Sequence, residues 1–177
     1  RKLSGKVTVV SPDEIHKQAV DVYAPCAKGA CLNDATIPEI EAPVICGAAN
    51  NQLLEPRHGQ MLYDAGKTYV PDYINNAAGV IAIRMEAEHR EKNIPLTNRE
   101  IKKKTEAVVR KNTRKVLETA RTEGTAHSQV ADVMTQNILD SAVIIPQGNW
   151  AGVRVQRAPD PRVPAPDKGR QAGGGRA

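Results

Sequence analysis

The 177-residue chain has no phenylalanine, and its aromatics amount to 3% of residues, so packing is left to Val, Ile, Leu and Ala. Cysteine is scarce as well. Cys26, Cys31 and Cys46 are an odd number without paired short spacings. A disulfide framework is therefore not expected, and free thiols in a reducing compartment are. No apolar run approaches the roughly 20 residues needed to span a bilayer, and no charged-then-apolar leader opens the chain, so a soluble, cytoplasmic protein is expected. Glycine is sparse where it would matter for phosphates. The only glycine-rich segment, Gly173-Gly174-Gly175, follows no strand, and the turn that seats a pyrophosphate between strand and helix is missing. The chain opens on Arg1 and enters a strand-like run within a few residues, which reads as an excerpt.

What is present is globular in character: 40% apolar and 25% charged residues, enough for one core of ordinary size. The net charge of +5 is unevenly spread. Lys and Arg cluster in residues 99–121 and again after Arg154, which gives a local basic surface rather than a basic protein.

Short apolar runs alternate with helix-like segments in the first half, the pattern of a parallel sheet covered by helices. Strands are expected at residues 7–10, 19–23, 43–47 and 68–70. Ser11-Pro12-Asp13-Glu14 has the form of a capping box and predicts a short helix to about Gln18. Asn33 and Asp34 are placed to cap a helical turn reaching Ile40. A helix over about 55–65 is stopped by Gly66, and another is expected over about 76–90. Thr97-Asn98-Arg99-Glu100 is a second capping box, opening a long helix that ends near Gly124. Along it Ile101, Val108, Val109, Val116, Leu117 and Ala120 share one stripe opposite the Lys and Arg residues. A further helix is expected over about 126–140. From Arg157 on, Pro, Gly, Arg and Asp dominate, and the tail is expected to be disordered. Three segments follow: 1–96 as an α/β unit, 97–150 as a helical segment and 151–177 as the tail.

In an open parallel sheet, ligands bind beyond the carboxyl ends of the strands. Three loops fit that position: Ala24-Pro25-Cys26-Ala27, Gly47-Ala48-Ala49-Asn50-Asn51, and residues 71–79 with Asn75, Asn76, Ala77, Ala78 and Gly79. They combine small residues, which permit close approach, with amides, each of which supplies a donor and an acceptor to a carboxamide.

At these loops the chain resembles the glutamate/leucine/phenylalanine/valine dehydrogenase family, most closely its leucine and valine members. The matching stretches are Asp21-Val22-Tyr23-Ala24-Pro25-Cys26-Ala27, Gly47-Ala48-Ala49-Asn50-Asn51-Gln52-Leu53, Glu55-Pro56-Arg57-His58-Gly59, and Tyr69-Val70-Pro71-Asp72-Tyr73 with Asn76-Ala77. Several motifs in matching order and spacing are far more specific than one. The likeness is close over residues 7–81, looser to about Asp140 and absent after Trp150. It implies the later part of a Rossmann domain: an α/β, doubly wound, mostly parallel sheet lacking its first half, followed by C-terminal helices. It also implies NAD as cofactor and oxidative deamination of an L-amino acid, branched-chain by preference, to its 2-oxo acid and ammonia. The intact enzyme is expected to be a homo-oligomer, without nucleic acid or membrane partners. On this reading Ala24, Pro25, Cys26 and Ala27 border the nicotinamide ribose, and Ala49, Asn50 and Asn51 lie along the nicotinamide side of the cleft. Asn76 matches the family's asparagine that holds the substrate carboxylate, with Asn75 its competitor.

The chain departs from the family pattern at Lys28 and Ala30, where an apolar residue and a second glycine are expected, and at Ala78, where the first of two glycines is expected. The family's catalytic lysine and aspartate would lie further toward the N-terminus, and no residue here is assigned as general base. Two other readings stand beside the enzyme: a remnant that keeps the fold without turnover, and a basic helical module for nucleic acid or an acidic partner. For the latter, Lys102, Lys103, Lys104, Arg110, Lys111, Arg114 and Lys115 lack interleaved aromatics and read better as the wet face of a helix. Glu55 and His58 read as a solvated first turn, Cys26 as a small packing residue, and Glu86 with His89 as a helix-face pair lacking a third metal ligand. A half sheet also leaves an open edge and an uncovered apolar face, so poor stability or aggregation is expected.

Overall fold

A computed structural model of the chain describes residues 7–141. Its centre is a sheet of three parallel strands in sequence order: β1 (Val22–Tyr23), β2 (Val44–Ile45) and β3 (Thr68–Tyr69). Val22, Val44 and Thr68 stand in register, and so do Tyr23, Ile45 and Tyr69. The β1–β2 crossover carries a single 3-10 turn, Ile37–Glu39, and the β2–β3 crossover carries α1 (Arg57–Asp64). Then follow α2 (Asp72–Asn75), α3 (Ala78–Glu91), α4 (Asn98–Glu123) and α5 (His127–Ser141).

Alternation along the strands divides the interior in two, because successive side chains point to opposite faces. Tyr23, Ile45 and Tyr69 turn to one face and pack with Leu32, Ile37, Ile40, Ala42 and Leu62. Cys46 and Val70, one residue further on, turn to the other, where Ile74, Val116, Ala120, Val130 and Ala131 close over them. Helices thus cover both faces at the carboxyl ends of β2 and β3, the doubly wound α/β arrangement expected.

The helices follow their end signals where these are complete. Thr97 Oγ1 accepts from the Glu100 N–H at 3.3 Å while a Glu100 carboxylate oxygen accepts from the Thr97 N–H at 2.9 Å. This reciprocal box starts α4, and Gly124, at φ 63°, stops it. Val116 and Ala120 are buried, and Ile101, Val108, Val109 and Leu117 are half-buried on the same stripe. Helix α1 gives way through Ala65 to Gly66 at φ 67°, and Asn33 Oδ1 accepts from the Ala35 and Thr36 N–H groups ahead of the 3-10 turn.

Three expectations at the start of the chain are corrected. Residues 7–10 form no strand, and Val7 and Val9 are 66% and 90% exposed. An apolar run becomes a strand only with a neighbour to complete its ladder, and none stands beside this one among the described residues. For the same reason residues 19–21 stay outside the sheet, and β1 begins at Val22. The helix expected after Ser11 is only the 3-10 turn Ile15–Lys17. Ser11 accepts from the Asp13 N–H at 3.4 Å, while the Glu14 carboxylate faces Lys17 at 3.4 Å, so the box does not close. The expected disorder from residue 151 lies outside the described residues.

Candidate functional site

Three loops leave the carboxyl ends of β1, β2 and β3 side by side. Ladder bonds fix their bases: Cys46 N–H donates to Tyr23 O, and Val70 N–H to Ile45 O, each at 3.0 Å. One step out, Ala49 N–H donates to Pro25 O at 2.9 Å, and Ala48 N–H points at Cys26 Sγ at 3.4 Å. The approach is so close that a Cβ on Gly47 would lie 2.1 Å from Pro25 O. Only glycine fits where the β1 and β2 loops cross.

Amides bind the β2 and β3 loops together. Asn76 Nδ2 donates to Ala48 O at 2.9 Å and to Asn50 Oδ1 at 2.8 Å. Asn75 Nδ2 donates to Gly47 O at 3.0 Å and to Cys46 Sγ at 3.1 Å. The Asn51 N–H donates to Asp72 at 3.0 Å, with Asn51 held at φ 52°, a left-handed geometry that asparagine tolerates. From beneath, fully buried Gln52 donates to Gly47 O at 2.7 Å and to Ala49 O at 2.9 Å. Above these bonds opens a cleft of about 490 Å3 lined by Asn50, Asn51, Asp72, Tyr73, Asn76, Ala77 and Val80. Ala24, Pro25, Cys26 and Ala27 lie on the neighbouring β1 loop, where Pro25 is buried and the other three are exposed.

The structure therefore brings together all three loops singled out by sequence, with Cys26, Asn50 and Asn76 linked through Ala48. Cys26 itself is exposed, so its reading as a packing residue is corrected: its sulfur serves as an acceptor at the loop crossing. The departures from the family pattern fall unevenly. Lys28 and Ala78 are exposed, whereas Ala30 sits at φ 56°, where a methyl group is strained and glycine is not.

The start of α1 is also corrected. His58 is buried to 0% exposure rather than solvated. Its Nδ1 accepts from the Glu55 N–H at 2.9 Å, capping the helix from inside, and its Nε2 faces Asp34 at 3.4 Å. Arg57 spans Asp34 and Glu55 at 2.6 and 2.7 Å. That guanidinium bond, with His58 adding to it, holds the Asp34 carboxyl down at about 2. The signal for burial is His58 sharing the Leu62 face of α1 at i and i+4. Glu86 and His89 bring no third ligand: among the described residues no three His, Cys, Asp or Glu side chains gather as a metal site would require. No described helix is long and apolar enough to cross a membrane.

A parallel sheet with helices on both faces and amide-bearing loops at its carboxyl edge is an α/β arrangement of the Rossmann type, and comparison with known proteins gives the family. The profile of Glutamate/Leucine/Phenylalanine/Valine dehydrogenase matches residues 2–144, and the chain belongs to that family. It is 54% identical over 77 residues to the leucine dehydrogenase of Bacillus subtilis, which covers 44% of this chain and 21% of that protein. To the leucine dehydrogenase of Thermoactinomyces intermedius it is 40% identical over 133 residues, or 74% of this chain and 34% of that one. Among solved structures, L-tryptophan dehydrogenase from Nostoc punctiforme superposes with a TM-score of 0.65 at 34% identity, over 75% of this chain and 38% of the other. A hetero-hexameric glutamate dehydrogenase from Thermus thermophilus shares the fold at TM-score 0.65 and 21% identity, over 76% and 32%. The chain thus spans only about a fifth to a third of the length of these leucine dehydrogenases.

Proposed function

We propose that the chain is the nicotinamide-facing part of an NAD-dependent amino acid dehydrogenase, comprising an α/β segment to residue 96, a helical segment over 97–150 and a tail. The reaction is oxidative deamination of a branched-chain L-amino acid. With NAD bound, the α carbon would give up hydride to it and water would then replace the nitrogen, releasing the 2-oxo acid and ammonia. The observation that carries this reading is the meeting of the three loops, through the Asn76–Asn50 bond at 2.8 Å and the Ala49–Pro25 bond at 2.9 Å. Similarity to leucine dehydrogenases supports the substrate class.

The residues fit the cofactor's carboxamide ring. Exposed small side chains at Ala24 and Ala27 leave room for a flat group and its ribose, with Cys26 completing that border, while Pro25 and Ala49 are buried beneath it and join the two loops through the Ala49 N–H. Asn50 and Asn51 line the cleft with donors and acceptors. NAD, when bound, supplies the hydride acceptor; the chain's own part is to hold and orient. Asn76 is assigned to the substrate, with one condition. Both hydrogens of its Nδ2 are engaged, by Ala48 O and Asn50 Oδ1, so it grips a carboxylate only by releasing one of them. In the loops as they stand it offers its Oδ1, an acceptor. The intact enzyme works as a cytoplasmic homo-oligomer, and exposed Val133, Ile138 and Leu139 on α5 are apolar surface of the kind an assembly covers.

The test is to join this chain to the lysine-bearing substrate domain and glycine-rich turn of a leucine dehydrogenase. NADH formation is then followed with leucine, valine and phenylalanine. Turnover favouring the branched-chain substrates is expected, with Asn76→Ala lowering kcat/KM by about 100-fold, an effect of substrate positioning. A folded chimera that binds NAD but reduces none would establish the second reading, a fold kept without turnover, which strained Ala30 favours.

A further inference from the structure

A second pocket adjoins the cleft just described and shares Asn51, Asp72 and Tyr73 with it. It measures about 230 Å3 and sits where the loop after Asn51, the end of β3 and the first turns of α5 meet. Leu53, Leu54 and Pro56 form one wall. Tyr69, Asp72 and Asp132 line it as well. The pocket has acceptors in excess. Asp72 spends one oxygen on the Asn51 N–H at 3.0 Å, and Asp132 spends one on the Tyr73 hydroxyl at 2.5 Å, so each keeps another. Glu55 at the rim is already paired with Arg57 at 2.7 Å, and none of the lining residues is Lys, Arg or His.

An independent observation comes from Tyr69. It is only 1% exposed, and its hydroxyl has no hydrogen-bond partner. A buried hydroxyl is ordinarily satisfied, so one left open against a pocket wall marks a place where a ligand atom belongs. The missing group must bring donors and positive charge, and must be small. A hard divalent cation would need more oxygens than this geometry gathers. An ammonium group has three donors, enough for Asp72, Asp132 and Tyr69 together.

We propose that this pocket binds a primary ammonium group carried on a short aliphatic body, the head meeting Asp72, Asp132 and Tyr69 and the body lying against Leu53, Leu54 and Pro56. The site uses neither Asn50 nor Asn76, and it stands whether or not the cleft beside it takes a nicotinamide.

The test is an NMR titration of the 15N-labelled chain with n-propylammonium chloride, set against n-propanol, ammonium chloride and sodium chloride at matched ionic strength. Saturable shifts at the Asp72, Tyr73, Ser128 and Asp132 amides are expected with propylammonium, weaker ones with ammonium, and none with propanol or sodium. Asp132→Asn, on the exposed side of α5, should raise the Kd at least tenfold with helicity by circular dichroism unchanged, and Tyr69→Phe should raise it as well. Equal responses to propanol or sodium chloride, or an unchanged Kd in Asp132→Asn, overturn the proposal. Equal affinity for ammonium and propylammonium removes the aliphatic part of the ligand.

Discussion

At Gly47 and Ala30 the same atom, a Cβ, is unfavourable for different reasons. A methyl on Gly47 meets the Pro25 backbone at 2.1 and 2.4 Å, which no side-chain rotation relieves. Gly47→Ala should therefore cost about 3 kcal/mol, measured as a lowered urea midpoint at constant slope. Ala30 already carries its methyl at φ 56°. Ala30→Gly should raise stability by roughly 0.5 kcal/mol, the relief of left-handed strain outweighing the added freedom of the unfolded chain. Asp34 provides the acid response. Its carboxyl titrates lower folded than its ordinary 3.8, at about 2, because Arg57 and then His58 favour the charged form. Its stabilising contribution is thus complete above about pH 4 and is lost as pH falls toward 2. In Asp34→Asn the urea midpoint should vary less with pH across that window. The residues of the cleft were legible in the sequence because small side chains and amides cluster after strand-like runs. Gln52, His58 and Tyr69 were not, since polarity alone does not say that a side chain is buried: Gln52 is held by carbonyls of its own loop, His58 by the Glu55 N–H, and the Tyr69 hydroxyl by no partner among the described residues.

Among the elements, legibility followed how local the cause is. The α4 start needs only Thr97 and Glu100, four residues holding both arms of one box, and the sequence states it in full. Thr97→Ala should destabilise by about 1 kcal/mol, seen in the thermal transition and in faster amide exchange over the first turn of α4. The similar Ser11-Pro12-Asp13-Glu14 pattern led nowhere because Glu14 has a nearer attraction in Lys17, and the turn that follows buries His16 against Glu39 at 2.8 Å. Strands were legible only as positions. The apolar runs at 43–47 and 68–70 became β2 and β3 because each has a parallel neighbour, while residues 7–10 did not, and a ladder partner is not written in the run itself.

For the molecule as a whole, the two faces of the sheet are covered unequally. Around β2 and β3 both are packed, whereas Val22 in the edge strand β1 and Val20 just before it remain 49% and 44% exposed. An open edge next to apolar side chains invites pairing with another chain. The isolated polypeptide should therefore self-associate with rising concentration, as read by light scattering. Val22→Lys should suppress that association while changing the unfolding free energy by less than about 0.5 kcal/mol, as a surface substitution does. If the scattering is unchanged, the exposed side chains of α5 are the stickier surface.

The Gly47 carbonyl is where these scales meet. A carbonyl oxygen has two lone pairs, and this one gives one to Gln52 and the other to Asn75. The floor of the cleft and the segment leading into α3 are thereby riveted to one atom, so an arriving ligand cannot tug on either alone. Any accommodation must travel as a joint displacement of both loops, with α3 and α4 carried along behind Asn76.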